Sequence, residues 1–343
     1  MVDSAPDKQG ISMFWWAKHN PPKDPKTSFA GKTVLITGAN VGLGLEAAVK
    51  FAALGASSLI FGVRSLQRGE DAKKLICQRT GYLSSNIKLF QLDMSAFASV
   101  KKFADTITKE VPRVDVAILN AGIAAPSYQV SPDGYEMSLQ VNVISTALLA
   151  ILLLPKLRQT TAKTGQPTHL EFVGSNGQAQ VTSEMLKLGP EDKVVEKLSS
   201  KDFFNYMTQY QVSKLLLQYV VDSIASKTLS TFGESEVIVT TVCPGLCRTN
   251  LGREFGTFLK VTNGIFQQIF ARSCEEGSRT LVSGAALGPE AHGKFWSHDV
   301  FYKKGELVTS EEGKVLQIRT WDEILQILRK FAPEVDGILN SKT

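Results

Sequence analysis

The sequence predicts an α/β fold, a doubly wound parallel sheet in a single domain with an N-terminal arm and a C-terminal extension. Three observations carry this expectation. Short β-branched and apolar runs alternate with longer stretches of helical periodicity, which implies right-handed crossovers between parallel strands. The first run, Thr33 to Thr37, leads straight into a turn with three glycines and then into a helical pattern. The chain has 343 residues, of which 43% are hydrophobic, enough to bury one large core.

Taken in order, Thr33-Val-Leu-Ile-Thr37 is apolar without alternation, the pattern of a strand covered on both faces. The same criteria predict helix over 43–54, strand over 58–63, helix over 66–79, strand over 87–92, helix over 96–109 and strand over 115–119. A helix over 134–157 contains the longest apolar run, Ala147 to Leu154, which is stopped by Pro155. That run is far below the ~20 residues that span a bilayer, so it is expected to be a buried helix and no transmembrane segment is predicted. Strand over 168–174, helix over 206–227, strand over 236–242 and a mixed end complete the pattern.

Two motifs carry chemistry. Between the first strand and helix stands Gly38-Ala-Asn40-Val41-Gly42-Leu43-Gly44. Glycines at this spacing let a backbone approach a pyrophosphate, and the helix N-terminus behind them offers unpaired N–H groups and a positive dipole. A merely tight turn needs one glycine. The second motif is Tyr210-Gln-Val-Ser-Lys214. Positions i and i+4 share a helix face, so a phenol and an ammonium point into the same space. Lowering a tyrosine from a pKa of about 10 to about 7 needs roughly 4 kcal/mol. A unit charge about 4 Å away at an effective dielectric near 20 supplies roughly that much. The pair is thus sufficient for a general acid/base.

With Gly-x-x-x-Gly-x-Gly upstream and Tyr-x-x-x-Lys downstream, the chain resembles the short-chain dehydrogenase/reductase family, from about Phe29 to about Tyr302. Gly31 to Asn40 and Glu275-Glu-Gly-Ser-Arg-Thr look like its retinol-dehydrogenase-like branch, and the Pro21-Pro22 arm is similar to that of fungal members serving secondary-metabolite pathways. The resemblance implies a Rossmann domain over 29–302, an arm over 1–28 and an extension over 303–343. It implies a catalytic tetrad of Asn142, Ser175, Tyr210 and Lys214. It places the glycine turn on the cofactor, Asp93 at the adenine, Asn120-Ala121-Gly122 beside the adenine ribose, and Pro244-Gly245 leading to Thr249 at the nicotinamide carboxamide. Tyr210 would exchange a proton with the substrate oxygen, and Lys214 would lower its pKa and bind the nicotinamide ribose. Ser175 would hydrogen-bond the substrate oxygen, and Asn142 would hold a water relaying protons from Lys214. Singly, Asn120 and Asp93 also suit strand-end turns and Ser175 an ordinary turn. Asn142 is harder to explain so, because asparagine is an indifferent helix former.

About twenty residues past the glycines, where a carboxylate would select NAD, stands Gly62-Val63-Arg64-Ser65. Nothing there repels a 2′-phosphate and Arg64 can grip one bidentately, with Ser65 and Arg68 as helpers, so NADP(H) is the expected cofactor. The expected reaction is reversible hydride transfer between a nicotinamide and a carbonyl or alcohol on a hydrophobic small molecule; a retinol- or steroid-like lipid is the alternative substrate. An extended-type epimerase or dehydratase would carry glycine at position 41, where this chain has Val41. A non-catalytic NADP-sensing protein would have lost catalytic groups, and all four stand.

The gap from Ser175 to Tyr210 is long, and 178–205 is read as a substrate-side flap, with a plain surface excursion the alternative. Phe255, Phe258, Leu259 and Phe266 suggest a bulky hydrophobic ligand. Trp321, Ile324, Leu325, Leu328 and Phe331 mark an amphipathic C-terminal helix, expected on the core near the substrate side or at a homodimer contact. Met13-Phe-Trp-Trp16 is expected to pack on the body rather than touch a membrane. Cys77, Cys243, Cys247 and Cys274 have no ligand spacing supported by histidine; free thiols, no metal site and a reducing, cytoplasmic location follow. No secretory signal is evident. The net charge of +5 is modest and scattered, which does not imply nucleic acid.

Overall fold

The structure is a computed structural model describing residues 10–229, 235–249 and 266–341. A sheet of eight strands has the order β3-β2-β1-β4-β5-β6-β7-β8. The strands are β1 (Thr33–Thr37), β2 (Ser58–Val63), β3 (Ile87–Gln91), β4 (Val116–Leu119), β5 (Thr168–Val173), β6 (Val237–Val242), β7 (Phe295–Ser297) and β8 (Val300–Tyr302). All neighbours pair parallel except β7 with β8, so the mixed end closes the sheet with an antiparallel edge strand. The chain moves outward from β1 to β3, returns to the other side at β4, and thereby opens the crevice at the strand C-termini where such folds bind ligands.

The helices are α1 (Gly10–His19), α2 (Gly42–Ala53), α3 (Leu66–Thr80), α4 (Phe97–Glu110), α5 (Ser145–Thr164), α6 (Gln209–Lys227), α7 (Cys274–Gly284), α8 (Glu311–Arg329) and α9 (Val335–Asn340), with short turns between them. One core layer lies between the sheet and α4, α5 and α6, the other beneath α2, α3 and α7. Central strands such as β1 are buried throughout, as their unbroken apolar pattern requires. The continuous helix Met137–Thr164 is long and apolar enough to cross a membrane, but it is almost wholly buried inside the fold.

Several boundaries differ from expectation by a residue or more, and three differences are informative. Helix α5 runs through Pro155 to Thr164 instead of ending at 157. A mid-helix proline costs about 3 kcal/mol. Burying every residue from Ser145 to Leu154 outweighs it. Helix α6 begins at Gln209 and not at 206, because Asn205 closes a turn first, its side chain accepting from the Met207 N–H and its carbonyl from the Gln209 N–H. Phe331 lies beyond α8 and is 42% exposed, although its ring rests 4.6 Å from that of Phe97. Trp321, Ile324, Leu325 and Leu328 are buried as their spacing predicts.

The 178–205 segment is neither a free flap nor a surface excursion along its whole length. Val181, Leu186, Val194, Val195 and Leu198 enter the core. The Glu323 carboxylate of α8 accepts from the N–H groups of Val195 and Glu196 at 2.8 and 2.9 Å, so the C-terminal helix ties the segment down.

Candidate active site

A crevice of about 1890 Å³ opens at the C-terminal ends of the strands. At one end β1 delivers the glycine turn. Gly38 and Gly42 adopt φ of +68° and +62°, a region side chains disfavour. A Cβ on Gly44 would stand 2.6 Å from both the Gly38 carbonyl and the Asn120 amide nitrogen. The residue before α2, Val41, has no side-chain acceptor, so the first-turn N–H groups receive no side-chain cap. The backbone cradle, its close approach and its uncapped helix start fit a pyrophosphate. Asn40, Val41, Gly42 and Leu43 line the crevice there.

Arg64, just past β2, is exposed at this end of the crevice and pairs with no carboxylate among the described residues. Ser65 caps α3 by accepting from the Arg68 N–H at 3.4 Å. Asp93 lines the crevice while its carboxylate accepts from the Ser95 N–H and hydroxyl at 2.9 and 2.7 Å, so it also forms the turn after β3. Asn120 donates its side chain to the Thr37 carbonyl at 2.8 Å. The Thr37 hydroxyl accepts from the N–H groups of Asn120 and Ala121 at 3.0 and 2.9 Å. Thr37, absent from the sequence expectations, therefore welds the ends of β1 and β4 together. Its signal was available: a hydroxyl at the last position of a buried strand.

At the other end Ser175 follows β5 and Tyr210 and Lys214 lie on α6. The Tyr210 phenol is hydrogen-bonded to the Ser175 hydroxyl, which favours its ionised form. Burial is the larger effect and pushes the phenol up. This corrects the expectation that the Tyr–Lys pair holds the phenol near neutrality. The Lys214 ammonium lies 5.6 Å from the centre of the tyrosine ring, over its face, and donates to the Val173 carbonyl at 2.8 Å. Burial pushes this lysine down to about 8.

Asn142 sits in a π turn, Gln140–Ile144, a distortion frequent at functional sites. Its side chain accepts from the Ile123 N–H at 2.9 Å and donates to the Ile123 carbonyl and the Ser213 hydroxyl at 2.8 and 3.0 Å. The amide is committed to protein partners, which fixes the site's backbone. A Cβ on Gly122 would meet the Asn142 oxygen at 3.2 Å and the Lys214 nitrogen at 3.9 Å, so glycine lets these groups converge.

Pro244, Gly245 (φ +74°) and Thr249 line the crevice after β6. The buried Cys243 thiol accepts from the Asn176 N–H at 3.3 Å, joining the ends of β5 and β6. All four cysteines are free thiols, and no cluster of metal-ligating side chains occurs among the described residues. Only Gln178 to Gln180 of the long insertion reach the crevice, joined by Tyr206 and Met207. Phe266 lines it too, whereas Phe255, Phe258 and Leu259 lie outside the described residues. Sequence reasoning also missed Ser213 and the N-terminal helix, whose Gly10, Met13, Phe14 and Ala17 face the crevice.

A dinucleotide cradle and a hydroxyl–phenol–ammonium group on one crevice define an oxidoreductase, and the chain belongs to the short-chain dehydrogenase/reductase family. The family description "short chain dehydrogenase" matches residues 32–166. The chain is 51% identical over 337 residues to the fungal short-chain dehydrogenase/reductase phmF of Phaeosphaeria nodorum, covering 98% of each. It is 50% identical over 342 residues to ffsI of Aspergillus flavipes, covering 100% of this chain and 99% of the relative. Among solved structures, it resembles a short-chain type dehydrogenase/reductase from Mycobacterium marinum, with a TM-score of 0.58 at 19% identity over 79% of this chain and 94% of that one. The Pseudomonas aeruginosa RhlG/NADP active-site complex gives a TM-score of 0.57 at 18% identity over 80% and 97%. At such identities these two structures speak for the fold.

Proposed function

We propose that the protein is an NADP(H)-dependent oxidoreductase that interconverts a ketone or aldehyde and an alcohol on a hydrophobic small molecule, acting in the cytoplasm in fungal secondary-metabolite biosynthesis. The carrying observation is the hydrogen bond between Ser175 and Tyr210, with Lys214 behind them, at the crevice that holds the glycine turn. The segment 29–302 is the catalytic domain in this reading, and assembly as a homodimer is compatible with it.

The bound cofactor supplies a hydride acceptor or donor. Gly38, Asn40, Val41, Gly42, Leu43 and Gly44 would hold its pyrophosphate and Arg64 its 2′-phosphate. Asp93 and Asn120 to Gly122 would hold the adenosine, and Pro244, Gly245 and Thr249 the nicotinamide end. Ser175 orients the substrate oxygen by a hydrogen bond. Tyr210, kept protonated by burial, donates its proton to that oxygen in reduction; in oxidation the phenol first loses that proton to solvent, and the phenolate then takes the hydroxyl proton. Lys214 supplies positive charge beside the phenol as it ionises and would also touch the nicotinamide ribose. Asn142 holds the α6 and 120–123 backbones in register; both of its side-chain N–H groups are taken by protein acceptors, so a proton-relaying water at this residue would donate to the second lone pair of its side-chain oxygen or bind its main chain.

A retinol- or steroid-like lipid alcohol is the second substrate reading, supported by the size of the crevice. The test is loss of NADPH absorbance with a panel of hydrophobic ketones. Tyr210→Phe is expected to lower turnover by about 10²–10⁴-fold while NADPH affinity stays near the parental value. Parental turnover in that variant would remove Tyr210 from the mechanism.

A further inference from the structure

The N-terminal arm contributes a helix that carries none of the proposed catalytic or cofactor-binding residues. In α1 the residues facing the crevice are Gly10, Met13, Phe14 and Ala17, at spacing i, i+3, i+4, i+7. That is one helical stripe. The opposite face is exposed, with Ile11 at 63% and Trp15 at 53%. The helix is seated from several directions. Phe14 meets Phe266 edge-on at 5.9 Å, and Trp16 lies 5.4 Å from His298. The Lys18 ammonium donates to the carbonyls of Gln268 and Ile269 at 2.8 and 2.7 Å, and the fully buried Arg272 donates to the Ala17 carbonyl at 2.5 Å. The Arg272 guanidinium on the Ala17 carbonyl, in the last turn of α1, suits the negative end of its dipole.

The sheet order says which end of the crevice α1 covers. Arg64 follows β2, Ser175 follows β5, and His298 follows β7. The helix therefore stands across the catalytic serine from Arg64, away from the end that would take the adenosine. We propose that α1 is the outer wall of the substrate compartment and that Phe14, with Met13 beside it, limits the length of the apolar substrate. This inference rests on the hydride-transfer reading above. A half-buried phenylalanine and methionine face the cavity with flexible apolar surface, and truncating an aromatic wall removes contacts from ligands that reach it while adding room for longer ones.

The test uses full-length protein and methyl ketones of increasing alkyl length, from pentyl to undecyl, with NADPH. Phe14→Ala is expected to move the kcat/KM optimum to longer chains. It is also expected to raise KM about tenfold for the ketone the parent prefers, with KM for NADPH unchanged. Phe14→Trp is expected to move the optimum to shorter chains, and the outward-facing control Ile11→Ala to match the parent. A Phe14→Ala profile that superposes on that of Ile11→Ala overturns the wall. A parent that reduces no member of the series instead counts against the hydride-transfer reading for this substrate class. The wall is then judged by Nile red binding to the NADP-saturated protein. About tenfold weaker binding in Phe14→Ala than in Ile11→Ala supports it, and equal binding in both overturns it. Phe14→Leu replaces Phe14→Ala in both arms if the alanine variant fails to fold.

Discussion

Asn142 donates to the Ser213 hydroxyl at 3.0 Å, and that hydroxyl donates to the Tyr210 carbonyl at 2.7 Å. The π turn before α5 and the first turn of α6 are thus joined one residue from Lys214. Ser213→Ala leaves the Asn142 amide one acceptor short in a buried place, a loss of about 1–3 kcal/mol. We expect a folded variant whose kcat falls about tenfold with little change in KM for NADPH, because the glycine turn after β1 takes no part in the lost bond. Steady-state kinetics with both substrates varied checks this; an unchanged kcat would separate the bond from catalysis.

Lys214 acts as an ammonium in the proposed mechanism, and burial places its pKa at about 8. It is therefore mostly charged at neutral pH, and charge is lost as pH rises. The rate of ketone reduction is expected to be level below pH about 8 and to fall above it with the slope of one proton. Lys214→Met is expected to remove that limb along with most of the activity. A profile that stays level well past this point contradicts the role.

Arg64 meets no carboxylate among the described residues, and in the proposed function it binds a 2′-phosphate. Arg64→Ala is expected to lower kcat/KM for NADPH by about 10–100-fold, the worth of a charge-assisted bidentate contact, and to leave that for NADH within about twofold. Parallel kinetics with the two cofactors decide the matter, and an equal loss with both would make Arg64 a structural residue only.

Glu171 on β5 is completely buried, and neither carboxylate oxygen has a hydrogen-bond partner. Burial pushes its pKa well above the usual carboxylate range. The folded protein therefore keeps this proton where the unfolded chain has released it. Its contribution to stability is greatest below about pH 4 and declines as pH rises through the unfolded pKa of about 4.3. Glu171→Gln removes this titration and is expected to raise stability at pH 7 by about 1–3 kcal/mol, with little change near pH 4. Thermal melts across that range measure it; equal pH slopes in the two proteins would show that Glu171 does not titrate on unfolding.

Much of the site was legible because its parts are local. The glycine turn is a strand–turn–helix written in adjacent residues, and Tyr210 and Lys214 share a helix face by spacing alone. The helix boundaries were less so, since propensity at Pro155 yields to burial contributed by distant segments. The insertion was legible as extra length but not as core, because its partner is Glu323 on a helix more than a hundred residues downstream.

By itself the sequence determined the alternation of strands and helices, the glycine turn between β1 and α2 and the shared helix face of Tyr210 and Lys214, all properties of period and short-range spacing. Tertiary structure alone decided the balance at Tyr210, where burial outweighs the hydrogen bond from Ser175 and Lys214 lies over the ring and not at the hydroxyl. It also decided that Gly10, Met13, Phe14 and Ala17 of α1 line the crevice. Desolvation and contact between segments far apart in the chain depend on three-dimensional neighbours, which no periodicity encodes.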